Sequence, residues 1–294
     1  MNTTLKLTAQ AKINLILDVI GKRADGYHEV EMIMQSIDLA DELSFTKIDK
    51  GIEIEVDNPQ VPTGPKNLVY KAAKLLFDEY GLTGGIKVGI SKNIPVAAGL
   101  AGGSTNAAAT LVAINRLWKL ELTNDQLISL GAKLGADVPF CIVGGTVLAT
   151  GTGTDLEPLE VNPELNLVLV KPPFPVSTAE IYQSLELDKI SQHPNLDRML
   201  TVLKEGDDLE IILATSNLLA QVTMERYREL KELQELLENA GAKKVLMSGS
   251  GPTMLGFTDD FDTARRIKIR LKKRLPEEFI IRTTKTTPHG IIIK

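Results

Sequence analysis

A chain of 294 residues with 43% hydrophobic and 24% charged side chains has the make-up of a globular protein, long enough for one large domain or two packed ones. No apolar run is long enough to cross a membrane, and a formal net charge of −5 argues against nucleic acid as a partner, although a small positive pocket still has room for phosphates. The single cysteine, Cys141, excludes a disulfide framework and a thiol cluster for metal, and is read as a buried apolar residue.

The N-terminal stretch MNTTLKLTAQAKINLILDV lacks the continuous hydrophobic segment and cleavage pattern of a signal peptide, which reads as cytoplasmic. Within it, the alternation of KINLILDV sets Lys12, Asn14 and Ile16 on one strand face and Ile13, Leu15 and Leu17 on the other. Asp25-Gly26 signals a turn in RADGYHEV. EMIMQSIDLADELSF follows as one or more strands with a loop near Asp41. KNLVYKAAKLLFDEY has a helical apolar pattern that Gly81, Gly84 and Gly85 end before the strand IKVGISKNI.

Next comes PVAAGLAGGSTNAAA, residues 95–109, where Ser104 is expected to cap a helix whose Ala107, Leu111, Ile114 and Trp118 pack on a sheet. Thr123 and Gln126 form a capping box for a helix with Leu127, Leu130 and Leu134 inward. Asp137 follows in GADVPF, with Pro139 near the start of a short turn or helix. GGTVLATGTG reads as a strand and hairpin, NLVLVKP as a strand ended by prolines, and residues 155–165 as a domain boundary.

The second half has helical patterns over 177–185, 209–219 and 224–238. GAKKVLMSGSGPTMLGF then reads as two strands joined by a Gly/Ser turn, before a charged helix and a terminal strand, so the organisation is α+β. No extended exposed apolar pattern separates a monomer from a weak homodimer.

The stretch 95–106 meets the requirements of an anion loop, since its glycines permit close backbone approach and a helix start supplies free N–H donors. No Lys stands in the Walker position, and a tightly packed helix start is an equal reading of the glycines alone. Ser104 and Thr105 add hydroxyls for a phosphate or a metal.

Four blocks, AKINLILDVIGKRADGYHEV, NIPVAAGLAGGSTNAAA, LGADVPFCIVGG and MSGSGPTMLG, lie in order between residues 11 and 256. Together they resemble the 4-diphosphocytidyl-2-C-methyl-D-erythritol kinase family of the GHMP kinase superfamily. The resemblance implies an α+β, two-domain GHMP fold: a ribosomal-protein-S5-like α/β domain over 1–160 and a ferredoxin-like domain over 161–294. It implies ATP-dependent phosphorylation of the substrate's 2-hydroxyl in the non-mevalonate route to isoprenoid precursors, with Mg2+ accompanying ATP on ligands it does not assign.

By the same resemblance Lys12 and Asp137 are catalytic, and Asn14, Tyr27, His28, Phe174 and Thr178 hold the substrate, with Tyr27 and Phe174 as walls for cytosine. The nucleotide falls to Asn67, Lys92, Pro95, Val96, Ala97, Ala98, Gly99, Leu100, Ala101, Gly102, Gly103, Ser104 and Thr105, and the SGSGP turn with Gly249 and Gly251 lies beside the cleft. On the residues alone Asn67 reads equally as an N-cap, Lys92 as a surface residue, Phe174 as core and Thr178 as part of a cap. Three positions depart from the family's common loop, Ala101 for Gly, Thr105 for Ser and Asn106 for Asp, the last removing a charge near the phosphates. Chemically, Lys12 would stabilise a developing alkoxide while Asp137 orients the hydroxyl and accepts its proton late in the transfer. Other GHMP activities, on mevalonate, homoserine or a sugar, and a catalytically silent binding protein are the competing readings.

Overall fold

The computed structural model describes residues 4–190 and 192–294, so the first three residues of the N-terminal stretch lie outside it. Strand β1 (Thr4–Lys22) turns at Asp25 and Gly26 into the antiparallel β2 (His28–Ile48). The turn closes as expected, with the Asp25 carboxylate accepting from the Tyr27 amide at 3.0 Å and Gly26 at φ 88°. β2 then runs unbroken through Asp41, where a loop was expected. The buried Asp41 carboxylate is fully partnered: it accepts from the amides of Asn93 and Ile94 and pairs with Lys92, so the chain has no need to surface there.

The alternation along β1 holds only as far as Asn14. A register shift between Asn14 and Ile16 inserts an extra residue, which re-aims the strand. Ile16 joins Ile13 and Leu15 in one apolar cluster while Leu17 moves to the other, opposite to the simple alternation.

Beyond β2 come β3 (Gly51–Val56), α1 (Leu68–Glu79), β4 (Gly85–Ser91), α2 (Gly102–Trp118), α3 (Asn124–Ala132), α4 (Asp137–Val143), β5 (Thr146–Thr150) and β6 (Asp155–Pro158). Thr123 and Gln126 form the expected capping box of α3. The alanines of α2, with Ala107, Ala108 and Ala109 fully buried, lie in the apolar layer that also holds Val69, Ala72 and Leu76 of α1.

The remaining elements are β7 (Asn166–Lys171), α5 (Thr178–Gln183), α6 (Leu196–Glu205), α7 (Asp208–Ala214), β8 (Ser216–Asn217), α8 (Leu219–Arg226), α9 (Glu229–Asn239), β9 (Lys244–Met247), β10 (Met254–Thr258), α10 (Phe261–Lys272), β11 (Ile280–Lys285) and β12 (Ile291–Ile293). The helix expected over 209–219 is interrupted by β8, which pairs in parallel with Ile16 and Leu17 of β1, so a tertiary edge overrides local propensity. That expected over 224–238 breaks near Tyr227 into α8 and α9.

The first sheet runs β12-β1-β2-β4-β3, with β5 on β2, β6 on β5 and β8 on β1. The second runs β11-β7-β10-β9, all antiparallel, and its strand-helix-strand-strand-helix-strand order is ferredoxin-like. Leu167, Leu169, Leu255 and Phe257 of the second sheet share a buried cluster with Ile13 and Leu15 of β1 and with Ile94, Ala98 and Leu100. The same cluster therefore joins the two sheets and fastens the glycine-rich loop to both.

Candidate active site

Three side chains pin the loop. Ile94, Ala98 and Leu100 are buried, which leaves the intervening backbone to turn outward. It does so with Ala97 (φ 51°), Gly99 (φ 72°) and Ala101 (φ 56°) left-handed. Ala98 and Leu100 are thus core anchors, with only their backbone placed to meet a ligand.

Ser104 is not the cap of α2. That position is Ala101, without a side-chain cap, and Ser104 sits within the first turn because the left-handed Ala101 already starts the helix. The first helical bond runs from the Thr105 amide to the Ala101 carbonyl at 2.9 Å. Ahead of it the Gly102, Gly103 and Ser104 amides have no helical acceptor, at the positive end of a 17-residue helix. Gly102 is helical, and a Cβ there would meet Ile94 at 3.0 Å and the Lys92 ammonium at 3.1 Å, so what glycine supplies is room.

Two cavities flank this helix start. The first, about 390 Å³, lies between Val61, Pro62, Asn67 and Leu68 on one side and residues 95–104 on the other. Asn67 is the N-cap of α1: its Oδ1 accepts from the Val69 amide at 2.8 Å and its Nδ2 donates to the Pro62 carbonyl at 2.6 Å, while the residue borders the cavity. Lys92 borders it too, but its ammonium is buried and held by Asp41, so it is no free cation for a nucleotide. Thr105 also departs from expectation. Its side chain is fully buried beside Cys141, behind the helix. One turn on from Gly102, Asn106 is 3% exposed and lines the cavity with its Oδ1 unpartnered.

The second cavity, about 630 Å³, brings together Lys12, Tyr27, His28, Asp137, Thr178 and Tyr182. The Lys12 ammonium lies 3.6 Å from the Asp137 carboxylate, with side-chain exposures of 7% and 37%. It donates to Asn14 Oδ1 at 2.9 Å, and Asn14 Nδ2 contacts the Met32 sulfur at 3.3 Å. Because the Lys12 amide also donates to the Leu100 carbonyl at 3.2 Å, the strand carrying the cation is tied to the loop. Asp137 stands at the first residue of α4, as expected of a short helix begun before Pro139.

His28 and Tyr182 form the cavity's aromatic side, with ring centroids 5.2 Å apart at 43°. Burial, then the nearby Lys22 charge, holds the His28 imidazole below its ordinary pKa, which favours the neutral ring. Burial, then the Asp137 charge, pushes the Tyr182 hydroxyl up to about 12, so it stays a neutral donor. Tyr27, 67% exposed, stands at the mouth.

Phe174 is not the second wall. Its ring stacks on Tyr227 at 5.3 Å and 9° and does not line the cavity. The aromatic ring that lines the cavity beside His28 is Tyr182. The signal was in the sequence: Ser177 caps α5, and Thr178 and Tyr182, four apart, share one helix face. Thr178 Oγ1 also lies 2.7 Å from Ser250 Oγ of the late glycine turn. The two cavities share Gly99, Ala101 and Ser104, so ligands in both would meet at the head of α2.

The GHMP kinase N-terminal domain family matches residues 67–145 and the GHMP kinase C-terminal family residues 190–277. A 4-diphosphocytidyl-2-C-methyl-D-erythritol kinase of Geobacillus kaustophilus is 46% identical over 280 residues, 95% of this chain and 96% of its own length. One from Clostridium botulinum is 45% identical over 279 residues, covering 95% of this chain and all of its own. The chain belongs to the 4-diphosphocytidyl-2-C-methyl-D-erythritol kinase family of GHMP kinases.

A crystal structure of a 4-(cytidine 5'-diphospho)-2C-methyl-D-erythritol kinase superposes with a TM-score of 0.81 at 31% identity, covering 96% of this chain and 99% of the other. The mevalonate kinase of L. major, at 20% identity and a TM-score of 0.75, shares the fold. Membership of the GHMP kinases makes the chain an ATP-using phosphotransferase. Among the described residues no helix is long and apolar enough to cross a membrane.

Proposed function

We infer that this chain transfers the γ-phosphoryl group of ATP to the 2-hydroxyl of 4-diphosphocytidyl-2-C-methyl-D-erythritol, a step in the non-mevalonate supply of isoprenoid precursors. The observation that carries the assignment of roles is the meeting of the two cavities at Gly99, Ala101 and Ser104, within the cleft that holds the Lys12–Asp137 pair. In this reading the free amides of Gly102, Gly103 and Ser104 hold the nucleotide's phosphates. Cytosine lies between Tyr27 and Tyr182 with neutral His28 at its edge, and Thr178 orients the remainder; Asn14, expected to touch the substrate, is fully buried off the cavity wall and acts by holding Lys12.

Asp137 orients the acceptor hydroxyl. The hydroxyl oxygen bonds to the γ-phosphorus as the bond from that phosphorus to the β–γ bridging oxygen breaks, ADP departs, and the proton passes to the carboxylate late in the step. Lys12, held by Asn14, stabilises the negative charge on the alkoxide and the transferring oxygens.

Among the described residues no cluster of three His, Cys, Asp or Glu side chains stands ready to cage a metal. Mg2+ would be carried mainly by the nucleotide's phosphates, with the Ser104 hydroxyl and the Asp137 carboxylate, both on the wall of the second cavity, as the protein oxygens that would hold it. Bound there, it would offset charge on the phosphoryl oxygens. In this reading the chain is a cytoplasmic enzyme, a monomer or weak homodimer, with domains over 1–160 and 161–294.

The test is ATP-dependent turnover of the cytidine substrate set beside mevalonate, homoserine and a sugar, with the product followed by phosphorus NMR. A new phosphate monoester on the cytidine substrate is expected. Turnover of a smaller alcohol in preference to it would overturn the reading.

A further inference from the structure

The late glycine turn, residues 248–252, borders three parts of the proposed machinery. Ser248 Oγ donates to the Gly99 carbonyl at 3.0 Å, and the fit is close enough that a Cβ on Gly99 would lie 2.4 Å from the Ser248 carbonyl oxygen. Ser250 Oγ meets Thr178 on the substrate side at 2.7 Å. A Cβ on Gly249 would stand 3.9 Å from Asn14 Oδ1, the group that holds Lys12. A turn with three such neighbours must itself be held still.

Asn217 does this from behind. It is 7% exposed and lines neither cavity, yet its Nδ2 donates to the carbonyls of Met247 and Gly249, both at 2.7 Å. Its Oδ1 accepts from the Leu219 amide at 3.0 Å, and its backbone pairs with Leu17 on β1, the strand that carries Lys12 and Asn14. A single amide therefore fixes the turn relative to the catalytic strand. Only Asn, with two N–H donors and one acceptor on a short stem, satisfies all three partners.

We propose that Asn217 is a positioning residue for phosphoryl transfer, holding the 248–252 turn so that the phosphate loop, the substrate-side helix and Lys12 keep one mutual geometry. The proposal rests on the assignment of those three groups above. It concerns kcat more than binding, because misplacement by about 1 Å costs on the order of 100-fold in rate.

The test is Asn217→Asp in the full chain. The substitution keeps the shape and the acceptor for Leu219 but sets a carboxylate against two carbonyl oxygens. We expect kcat to fall on the order of 100-fold while the dissociation constants of ATP and of the cytidine substrate change much less. The deficit relative to the parent protein should narrow as pH falls, because the introduced carboxyl, once protonated, regains one O–H donor for a carbonyl, and burial raises the pH at which it protonates. A purely structural role predicts a lower melting temperature with kcat per folded molecule unchanged and a ratio to the parent that ignores pH; that result overturns the proposal.

If Asn217→Asp does not fold, Ser248→Ala decides, since it removes only the bond to Gly99. Reduced kcat in a folded Ser248→Ala protein supports the proposal, and unchanged kcat overturns it. Should the parent protein prefer another alcohol, the comparison is made on that alcohol, so failure of the substrate assignment is told apart from failure of the role of Asn217.

Discussion

Replacing Tyr182 with Ala removes the ring that packs against His28 on the aromatic side of the second cavity. If cytosine stacks there, the loss is about 1–3 kcal/mol per stacked base, which is roughly 5- to 150-fold in the dissociation constant of the cytidine substrate. ATP, proposed to occupy the other cavity, should bind as before. Tyr182→Phe keeps the ring and gives up only a neutral hydroxyl, so it should stay near the parent. Phe174→Ala is the control: its ring stacks on Tyr227 outside the cavity, so its effect should be on stability, below the about 3–5 kcal/mol of a fully buried Phe. Isothermal titration with each ligand, beside thermal unfolding, separates these outcomes. Equal weakening of both ligands by Tyr182→Ala, or a larger loss of cytidine affinity in Phe174→Ala, would refute the wall drawn here.

Asp137→Asn should lower kcat by about 100-fold or more at little cost in substrate binding, because alignment and the proton acceptor go together; single-turnover kinetics near the parent rate would sink that role. Gly99→Ala forces a side chain into a left-handed position, at about 1–2 kcal/mol before its collision with Ser248, and should weaken ATP binding and turnover together. Ala101→Gly relieves the same backbone strain at φ 56° and should leave ATP binding intact, so a melting temperature and an ATP titration on the pair check the loop geometry. For His28 the folded-state pKa lies below the unfolded value of about 6.5, so the unfolded chain takes up the proton first as pH falls. Its contribution to stability is present above that value and is lost through the window just below it; His28→Gln should flatten that part of a stability–pH curve, and an unchanged curve would contradict the burial.

Much of the site could be read from short stretches. The Asp25-Gly26 turn, the Thr123–Gln126 capping box and the absence of a Walker Lys are local matters, settled by residues a few positions apart. The four family blocks marked Lys12, His28, Asp137 and the loop, and the fold lets Lys12 and Asp137 meet at 3.6 Å. Where the reading went astray, a distant partner made the difference. Asp41 looked like a loop residue until Lys92 and two amides from across the sheet satisfied it. Ser104 looked like a cap, but burial of Leu100 and the left-handed Ala101 start the helix earlier. Phe174 and Tyr182 were both aromatic residues beside the α5 cap, and only packing against Tyr227 or His28 tells them apart.

By itself, then, the sequence determined the periodicities, the turns and the free donors of the glycine loop, because these rest on covalent stereochemistry and near-neighbour hydrogen bonds, while the family blocks singled out Lys12 and Asp137 as candidates. Only the tertiary structure decided which face of β1 each side chain took after the bulge at Asn14–Ile16, that Lys92 is neutralised by Asp41, and which aromatic ring lines the second cavity. It also set Asn217 behind a turn 30 residues along the chain. The physical reason is that charge pairing, burial and stacking depend on through-space distances of a few ångströms, and those are created only when segments far apart in the chain are packed together.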